Sequence, residues 1–314
     1  MLHKFRTNRV TENREPRTEN ERGDAFSFSV LGSRFSVTRL LLVVMASTAA
    51  GCGRSPAQPV VTIQPPVPVS QAFDSAASGS IGGRVVWQGE TPVVEPLAIL
   101  PIAAGLETGQ PKQLRPNPHA PLIDPATRGV GGAVVYLRQV DAARARPWDH
   151  APVTVAMTDY QLKIGAGRIG FVRRGDPVTL VSRQPVHHAL RADGATFFTL
   201  PFPEADRPLT RRFERTGLVE LSSAATYFWM RGYLFVDDHP YYTQTAPDGG
   251  FTLTDVPAGR YELVVWLPNW REAGRDLDPE FGVVQRLRFA PPIEARRPIE
   301  VRAGARTVEA VALP

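Results

Sequence analysis

The 314-residue sequence predicts an all-β protein built from two β-sandwiches. Proline and glycine are frequent, with 30 and 26 residues, which disfavours long helices and favours many turns. From about residue 80 onward, short apolar segments alternate with Gly, Pro and Asp, and no segment keeps a helical period. Many short strands with frequent turn signals are typical of sandwiches, and the remaining region of about 235 residues suits two of them.

The predicted strands are short and follow one another closely. They span 81–88, 133–139, 153–157, 160–164, 168–172, 178–182, 187–192, 217–221, 233–236, 251–254, 261–266, 286–289, 299–301 and 307–310. Asp248-Gly249-Gly250 separates two of them and predicts a hairpin turn, and Pro257-Ala258-Gly259 predicts a second tight turn. Six prolines between residues 98 and 131 predict a long surface loop over the first sandwich.

The region before the strands has the composition of a targeting segment followed by a tether. From Arg39, a short apolar stretch leads to small residues, as in a secretory signal, and this stretch is too short to span a bilayer. Residues 1–51 are therefore predicted to be an N-terminal extension and signal peptide. Residues 52–79 are rich in Pro, Ser, Ala and Gln, which predicts an extended, disordered tether.

Cys52 is the single cysteine of the chain and directly follows Ala49-Ala50-Gly51. This order resembles the cleavage box of bacterial lipoproteins, in which the cysteine thiol receives a diacylglycerol and becomes the new N-terminus. The resemblance implies lipidation of Cys52, a membrane partner reached through acyl chains, and a location facing the periplasm or the cell surface. A single cysteine also excludes an intramolecular disulfide and a cysteine-rich metal site.

The charge of the chain argues against nucleic acid as a partner. The formal net charge is +5, and residues 1–51, with eight basic and five acidic groups, carry +3 of it. The remaining +2 is spread over the predicted folded part without a basic run, whereas phosphate binding favours a clustered excess. Only three lysines occur, Lys4, Lys112 and Lys163, so nearly all basic side chains are arginine.

Three segments carry a resemblance to a known group of proteins. They are the region around His187-His188, the stretch from Trp229-Met230 to Asp238-His239-Pro240-Tyr241, and the segment 257–261. The chain resembles secreted bacterial cupredoxin-like proteins related to plastocyanin and methylamine-utilisation proteins, in which a cupredoxin-like sandwich precedes a carboxypeptidase-regulatory or transthyretin-like domain. The resemblance covers roughly 80–314 and implies domains at 80–231 and 232–314, although residues 79–88 could instead pair with the second sandwich.

The resemblance also implies a copper site that this sequence does not complete. Such proteins hold copper through two histidines, a cysteine and an axial methionine. His188 and Met230 match the first histidine and the methionine, whereas Ala224 stands at the cysteine position and Tyr227 at the second histidine position. A blue-copper site is therefore excluded, and no resident cofactor is expected. A non-standard metal site remains open, with its candidate ligands His187, His188, His239 and Met230.

Aromatic residues in the C-terminal half suggest a second kind of site. Sugars stack their C–H faces on flat aromatic rings, and this half also resembles carbohydrate-binding-like sandwiches attached to polysaccharide lyases. The candidate glycan-binding residues are Trp270, Tyr241 and Tyr242. Trp266 ends an alternating strand and is predicted to point into the core.

No catalytic motif is apparent in the sequence. Residues 165–170 match G-x-G-x-x-G, but a β-like segment follows where dinucleotide binding needs a helix. A nucleophile elbow, a P-loop and an H-E-x-x-H motif are absent from the sequence. We therefore expect a lipid-anchored, extracytoplasmic, non-enzymatic binding or scaffolding protein whose partner is a glycan or an envelope protein. The alternative is a copper-binding or electron-transfer protein with non-standard ligands.

Overall fold

The computed structural model describes residues 72–99 and 113–314. The predictions for the signal peptide, for lipidation of Cys52 and for most of the tether lie outside the described residues. The described part contains strands and no helix, which confirms the predicted all-β fold class. Within these two ranges, no helix has the length and apolar character needed to cross a membrane.

The described strands are numbered in chain order. They are β1 Ser78–Trp87, β2 Leu97–Ile99, β3 Gln113–Arg115, β4 Leu122–Ile123, β5 Val130–Gly131, β6 Val134–Arg138, β7 Val153–Thr158, β8 Gln161–Ile164, β9 Ile169–Arg173, β10 Pro177–Ser182, β11 His188–Gly194, β12 Phe198–Phe202, β13 Leu209–Arg212, β14 Gly217–Ser223, β15 Arg231–Asp237, β16 Tyr242–Gln244, β17 Gly250–Pro257, β18 Gly259–Leu267, β19 Glu272–Leu277, β20 Val284–Phe289, β21 Ile293–Val301 and β22 Arg306–Leu313.

The first sandwich is formed by β7 to β15. One sheet has the order β13-β10-β7-β8 and the other has the order β12-β11-β14-β15-β9. Alternate residues of these strands are buried, as in Leu180 of β10, Leu190 of β11 and Leu221 of β14. These side chains belong to one apolar cluster shared by both sheets, so the two sheets pack face to face.

The second sandwich contains β1, β6, β16, β17, β18, β21 and β22. Its sheets have the orders β17-β1-β22 and β16-β6-β18-β21. Fully buried side chains of β1 and β6, including Ile81, Val85 and Val135, share its core with residues of β18 such as Leu263. The core therefore joins strands that lie far apart in the sequence.

The strand pairing groups the chain differently from the predicted ranges 80–231 and 232–314. Strand β1 lies between β17 and β22, pairing antiparallel with the first and parallel with the second. Strand β6 pairs with β16 and β18. Both N-terminal strands thus belong to the second sandwich, because their apolar faces fill its core, and the first sandwich begins only at Val153.

The two predicted turns connect sheets rather than the arms of simple hairpins. Asp248-Gly249-Gly250 leads from β16 to β17, which lie in different sheets of the second sandwich. The turn is held by the Gly250 amide, which donates to Oδ1 of Asp248 at 2.9 Å, and Gly249 takes a φ of +84°. Residues 257–259 likewise carry the chain from β17 to β18 in the opposite sheet.

Part of the described proline-rich loop, residues 117–119, lies in the protein interior, whereas the prediction placed the loop on the surface. Asn117 and His119 are buried, and their side chains bond backbone carbonyls of the second sandwich. Asn117 Nδ2 donates to the Trp270 carbonyl at 3.0 Å. Satisfied polar groups of this kind allow a loop segment to be buried without loss of hydrogen bonding.

An aromatic cluster joins the two sandwiches. Val134 and Trp266 of the second sandwich pack against Tyr233 and Phe235 of the first. The Trp266 ring lies 5.0 Å from Tyr233 and 5.2 Å from Phe235, both edge to face. Trp266 is buried, as its position in the alternating strand predicts.

Candidate functional site

His188 lies at the end of the first sandwich where the family resemblance places the copper ligands. The side chain is fully buried, with Nε2 3.2 Å from Oε1 of Gln184. Its Nδ1 has no hydrogen-bond partner among the described residues. Burial lowers the pKa of His188, so the ring is neutral at pH 7.

Aromatic rings surround His188. The Tyr227 ring lies 4.9 Å from the His188 ring, and Tyr160 lies 6.2 Å from it. Met230 is buried in the apolar core. The alanine at position 224 supplies no thiolate, and its amide donates to the Ala189 carbonyl at 2.7 Å. The donor set therefore does not fit a blue-copper centre.

The candidate histidine ligands do not form one group. His187 is exposed beside the buried His188, whereas His239 lies between β15 and β16. In residues 72–99 and 113–314, no three His, Cys, Asp or Glu side chains are placed to share a metal ion. The structure thus separates the histidines that the sequence suggested as joint ligands.

His239 belongs to a hydrogen-bonded group at the end of β15. Tyr242 donates its hydroxyl hydrogen to Oδ2 of Asp237 at 2.5 Å, and Nε2 of His239 lies 3.5 Å from the same oxygen. Burial and the neighbouring charge of Asp237 raise the pKa of Tyr242. The Tyr242 ring also stacks on Tyr136 at 5.0 Å. These groups satisfy one another at the crossing between the sandwiches.

The candidate glycan-binding aromatics occupy different environments. Trp270 is only 8% exposed and packs against Trp87 at 5.7 Å in the second core. Tyr241 is 1% exposed, and its hydroxyl donates to the Asp255 carbonyl at 2.8 Å. Neither ring presents a free face on which a sugar could stack, and Tyr242 is half-buried.

A cavity of about 270 Å³ lies between the two sandwiches. The proline-rich loop, strands β9 and β15 of the first sandwich, and the end of β18 in the second form its walls. Polar side chains in the lining include His119, Arg168, Tyr233 and Gln244, while Leu122, Leu267, Ile169 and several prolines are apolar. Concave sites that mix a few fixed polar groups with apolar surface are typical of ligand-binding pockets.

His119 and Tyr233 form a hydrogen-bonded pair in the cavity wall. Nδ1 of His119 lies 2.9 Å from the Asn269 carbonyl, and Nε2 lies 2.9 Å from the Tyr233 hydroxyl. A carbonyl oxygen only accepts, so Nδ1 carries the hydrogen and Nε2 accepts from Tyr233. The second lone pair of the Tyr233 oxygen therefore remains available to a donor group of a ligand.

Burial holds both members of this pair neutral. It lowers the pKa of His119 to about 3, and Arg231 and Arg168 lower it further, against the effect of the Asn269 carbonyl. Burial raises the pKa of Tyr233, as does the charge of Glu220. Neither group changes its protonation near pH 7, so the pair supplies fixed hydrogen-bonding geometry rather than proton transfer.

Arg231 is a buried positive charge at the cavity wall. Its guanidinium bonds the Glu220 carboxylate and the Leu287 carbonyl, and its side chain is 1% exposed. The Phe289 ring lies 5.6 Å from Cζ. Arg286 continues this network, with Nη2 3.1 Å from Asp193. The network ties the hairpin of β19 and β20 to the first sandwich.

The sequence analysis did not identify the residues that line the cavity. His119 stands in the segment Pro116-Asn117-Pro118-His119, and a titratable residue among loop prolines was the only local signal for it. Tyr233 and Arg231 lie in a strand whose apolar pattern predicts core residues. Their juxtaposition depends on contacts between residues more than 100 positions apart, which periodicity cannot show.

About a third of the chain is similar in fold to proteins of known structure. No protein-family model matches the sequence, and no curated protein matches it. The Cu(I) form of an amicyanin variant is 17% identical over 32% of this chain and 97% of that chain, with a TM-score of 0.24. An oxidised amicyanin variant is 19% identical over 29% of this chain and 88% of that chain, with a TM-score of 0.24.

A third similar structure is the copper-containing nitrite reductase from Thermus scotoductus. It is 16% identical over 29% of this chain and 24% of that chain, with a TM-score of 0.24. Similarity at this identity and TM-score concerns the β fold alone and carries no argument about binding or activity. Copper binding is a property of those proteins.

Proposed function

We propose that this chain is a non-catalytic binding protein of the cell envelope, anchored by lipid at Cys52. Its ligand occupies the cavity between the two sandwiches. The observation that carries this proposal is the neutral His119–Tyr233 pair, which is fully positioned in the wall of that cavity. A pair fixed by these two hydrogen bonds selects ligands by hydrogen-bond geometry and loses little entropy when a ligand binds.

The lining favours a saccharide as the ligand. A sugar ring has apolar C–H faces and a rim of hydroxyl groups, which suits a wall of prolines and leucines bearing a few polar groups. The free lone pair of Tyr233 accepts a sugar hydroxyl, and Arg168 and Gln244 offer donors. A volume of about 270 Å³ is small for a ligand pocket, so the cavity holds one end of a longer chain.

The neutral states of His119 and Tyr233 near pH 7 support binding without catalysis. The low pKa of His119 leaves the ring unable to act as a general acid near neutral pH, and Nε2 is occupied by the Tyr233 hydrogen. The raised pKa of Tyr233 likewise disfavours loss of its proton. The lining of this cavity also contains no Asp, Glu, Ser, Thr or Cys among the described residues.

A copper or electron-transfer role is the second candidate function. It is favoured by one observation, the buried Nδ1 of His188 without a hydrogen-bond partner among the described residues. The residues nearby do not fit this role, because Ala224 and Tyr227 supply neither a thiolate nor an imidazole. We therefore derive no electron-transfer step for this chain.

Ala120→Phe tests the proposed cavity. Ala120 is half-buried in the lining, so a phenyl ring there fills the space a ligand needs. We expect the full chain to bind at least one of three probes: a glucose oligomer, an N-acetylglucosamine oligomer and an oligogalacturonate. Calorimetry should show that Ala120→Phe weakens this binding by more than about tenfold, a loss typical of a blocked pocket.

Ala126→Phe is the matched control, because Ala126 is exposed and lies outside the cavity lining. This variant should bind like the parent chain. Equal binding by the parent chain and Ala120→Phe would place the ligand elsewhere. Failure of all three probes to bind the parent chain would contradict a saccharide ligand.

A further inference from the structure

A second pocket, of about 360 Å³, adjoins the cavity between the sandwiches. The two share Pro118, Gly167 and Arg168 in their linings. The second pocket opens between strand β8, the β8–β9 turn and the start of the proline-rich loop. It therefore combines residues of the first sandwich with a segment that precedes that sandwich by about 35 positions in the sequence.

Positive charge dominates this pocket. Arg115, Lys163 and Arg168 line it, and its described lining contains no carboxylate. Arg115 and Arg168 form no salt bridge with any residue of the described ranges. Lysine is scarce in this chain, yet one of its three lysines is here. Like charges without counter-ions repel one another, so an anion in their midst stabilises the arrangement.

Lys163 has one acidic neighbour, which leaves its charge accessible. Its Nζ lies 3.4 Å from Oδ2 of Asp159, and both side chains are about half exposed or more, at 48% and 76%. Exposed pairs of this kind are screened by water and contribute little. Lys163 can therefore turn toward an anion in the pocket at small cost.

Arg115 is held in place by aromatic rings. Its Cζ lies 5.2 Å from the Trp229 ring and 5.6 Å from the Tyr160 ring. The Trp229 ring is itself fixed, because its Nε1 donates to the Tyr160 carbonyl at 2.9 Å. Nε of Arg115 is buried and has no hydrogen-bond partner among the described residues. A positioned guanidinium with spare donors is suited to an oxyanion.

We propose that Arg115, Lys163 and Arg168 form a binding site for a compact oxyanion, a carboxylate or a phosphate group. The planar guanidinium groups donate in pairs to two oxygens, and the ammonium group of Lys163 adds a mobile third contact. The site adjoins the cavity of the proposed function, but its argument rests on its own three charged side chains. Because the two share Arg168, a ligand that fills both carries its anionic group at this end.

The proposal is tested by binding of small anions to the full chain at low ionic strength. The probes are sodium galacturonate and inorganic phosphate, and galactose is the uncharged comparison for galacturonate. We expect one or both anions to bind, galactose to bind more weakly, and the affinity to fall as salt is added. Binding of galacturonate alone identifies a carboxylate ligand, and binding of phosphate alone identifies a phosphate ligand.

The double variant Lys163→Gln with Arg168→Gln removes two of the three charges. Both side chains are exposed, so the variant is expected to fold. It should weaken anion binding by more than about tenfold, since charge-assisted hydrogen bonds are lost. Arg260→Gln removes an exposed charge of the second sandwich and should leave the affinity unchanged.

Two results would contradict the proposed anion-binding site. One is absence of binding by both anions to the parent chain at low salt, and the other is equal affinity of the parent chain and the double variant. The separate Ala120→Phe variant distinguishes this failure from failure of the proposed function. Ala120 lines the cavity between the sandwiches and does not line the pocket of Arg115, Lys163 and Arg168. Ala120→Phe should therefore weaken saccharide binding in the cavity without removing a charge from the anion site.

Discussion

The proton on His119 is placed by two neighbours that come from different parts of the chain. The Asn269 carbonyl fixes the hydrogen on Nδ1, and the Tyr233 hydroxyl then donates to Nε2. The Phe289 ring lies 4.2 Å from the imidazole and excludes water from one face. Burial of the imidazole is the main reason that its pKa falls so far below the usual range, and it outweighs the opposite effect of the Asn269 carbonyl.

The titration of His119 predicts a pH dependence of stability. The pKa of the folded state is about 3, whereas an unfolded histidine titrates near 6.5. Between these values the unfolded chain binds a proton that the folded chain does not. The free energy of unfolding therefore falls as the pH drops through this range, by up to about 1.4 kcal/mol per pH unit from this residue. The charges of Arg231 and Arg168 act in the same direction.

His119→Gln should remove this part of the slope. We expect urea denaturation between about pH 5 and about pH 7.5 to show a weaker pH dependence for the variant than for the parent chain. Ala126→Gln is the control, because it changes an exposed residue without adding or removing a titratable group and should leave the slope unchanged. An identical slope in the parent chain and His119→Gln would show that His119 titrates alike in the folded and unfolded states.

At residue scale, the sequence predicts an incomplete blue-copper set, because the missing thiolate is visible in the printed residues. It did not identify His119, Tyr233 or Arg231 as site residues. Their roles depend on burial and on partners distant in the chain, and neither is encoded in local residue type. The orientation of Trp270 was missed for the same reason, since a tryptophan in a polar loop can be buried by another element, here Trp87.

Strand β1 lies almost entirely within the predicted range 80–231, like β6, but pairs within the second sandwich. It joins β22 in parallel from Ser80 opposite Arg306 to Trp87 opposite Leu313. Gly83 sits at its centre, where an added Cβ would lie 2.1 Å from the Glu309 carbonyl oxygen and 2.8 Å from the Phe251 ring. The close approach of the strand backbone and the Phe251 ring requires glycine at this position.

Gly83→Ala is therefore expected to destabilise the protein. Neither the strand backbone nor the packed Phe251 ring can move away without disturbing the core, and overpacking of this kind costs about 1–3 kcal/mol. Gly167→Ala is the matched control, because nothing lies within 4 Å of its added Cβ. Chemical denaturation should show a loss for the first variant and a change within about 0.5 kcal/mol for the second.

A loss of similar size in both variants would instead indicate a general effect of replacing glycine.

At the scale of elements, the sequence predicted the positions of many strands, because period-two alternation is a local property. The sequence did not predict which strands pair, because β1 pairs with β17 and β22, which lie more than 160 residues away in the sequence. Alternation defines which face is buried and leaves open which sheet buries it.

The two sandwiches are connected by more than one crossing of the chain. Strands β1 and β6 precede the first sandwich in sequence and belong to the second. The hairpin of β19 and β20 follows β18 but packs Leu287 into the core of the first sandwich. The described residues, 72–99 and 113–314, fall within one compact unit. This interleaving couples the stability of one sandwich to that of the other.

Thermal unfolding of the full chain should therefore show one cooperative transition for both sandwiches. Leu287→Ala removes a buried side chain at the crossing and should lower this transition as a whole, at a cost of about 2–5 kcal/mol. Val308→Ala is the control, because Val308 is 72% exposed. Calorimetry and tryptophan fluorescence should agree on the midpoint. Two separate transitions, or a shift confined to one of them, would contradict the coupling.

By itself the sequence determined the all-β class, the approximate positions of many strands and the incomplete copper ligand set. Each of these follows from local composition, alternation or the identity of single residues. Only the tertiary structure decided which strands share a sheet, that Asn117 and His119 of the proline-rich loop are buried, and that His119, Tyr233 and Arg231 meet at one cavity. Those features depend on which surfaces bury one another, and that choice is made by the packing of the whole chain rather than by any segment of it.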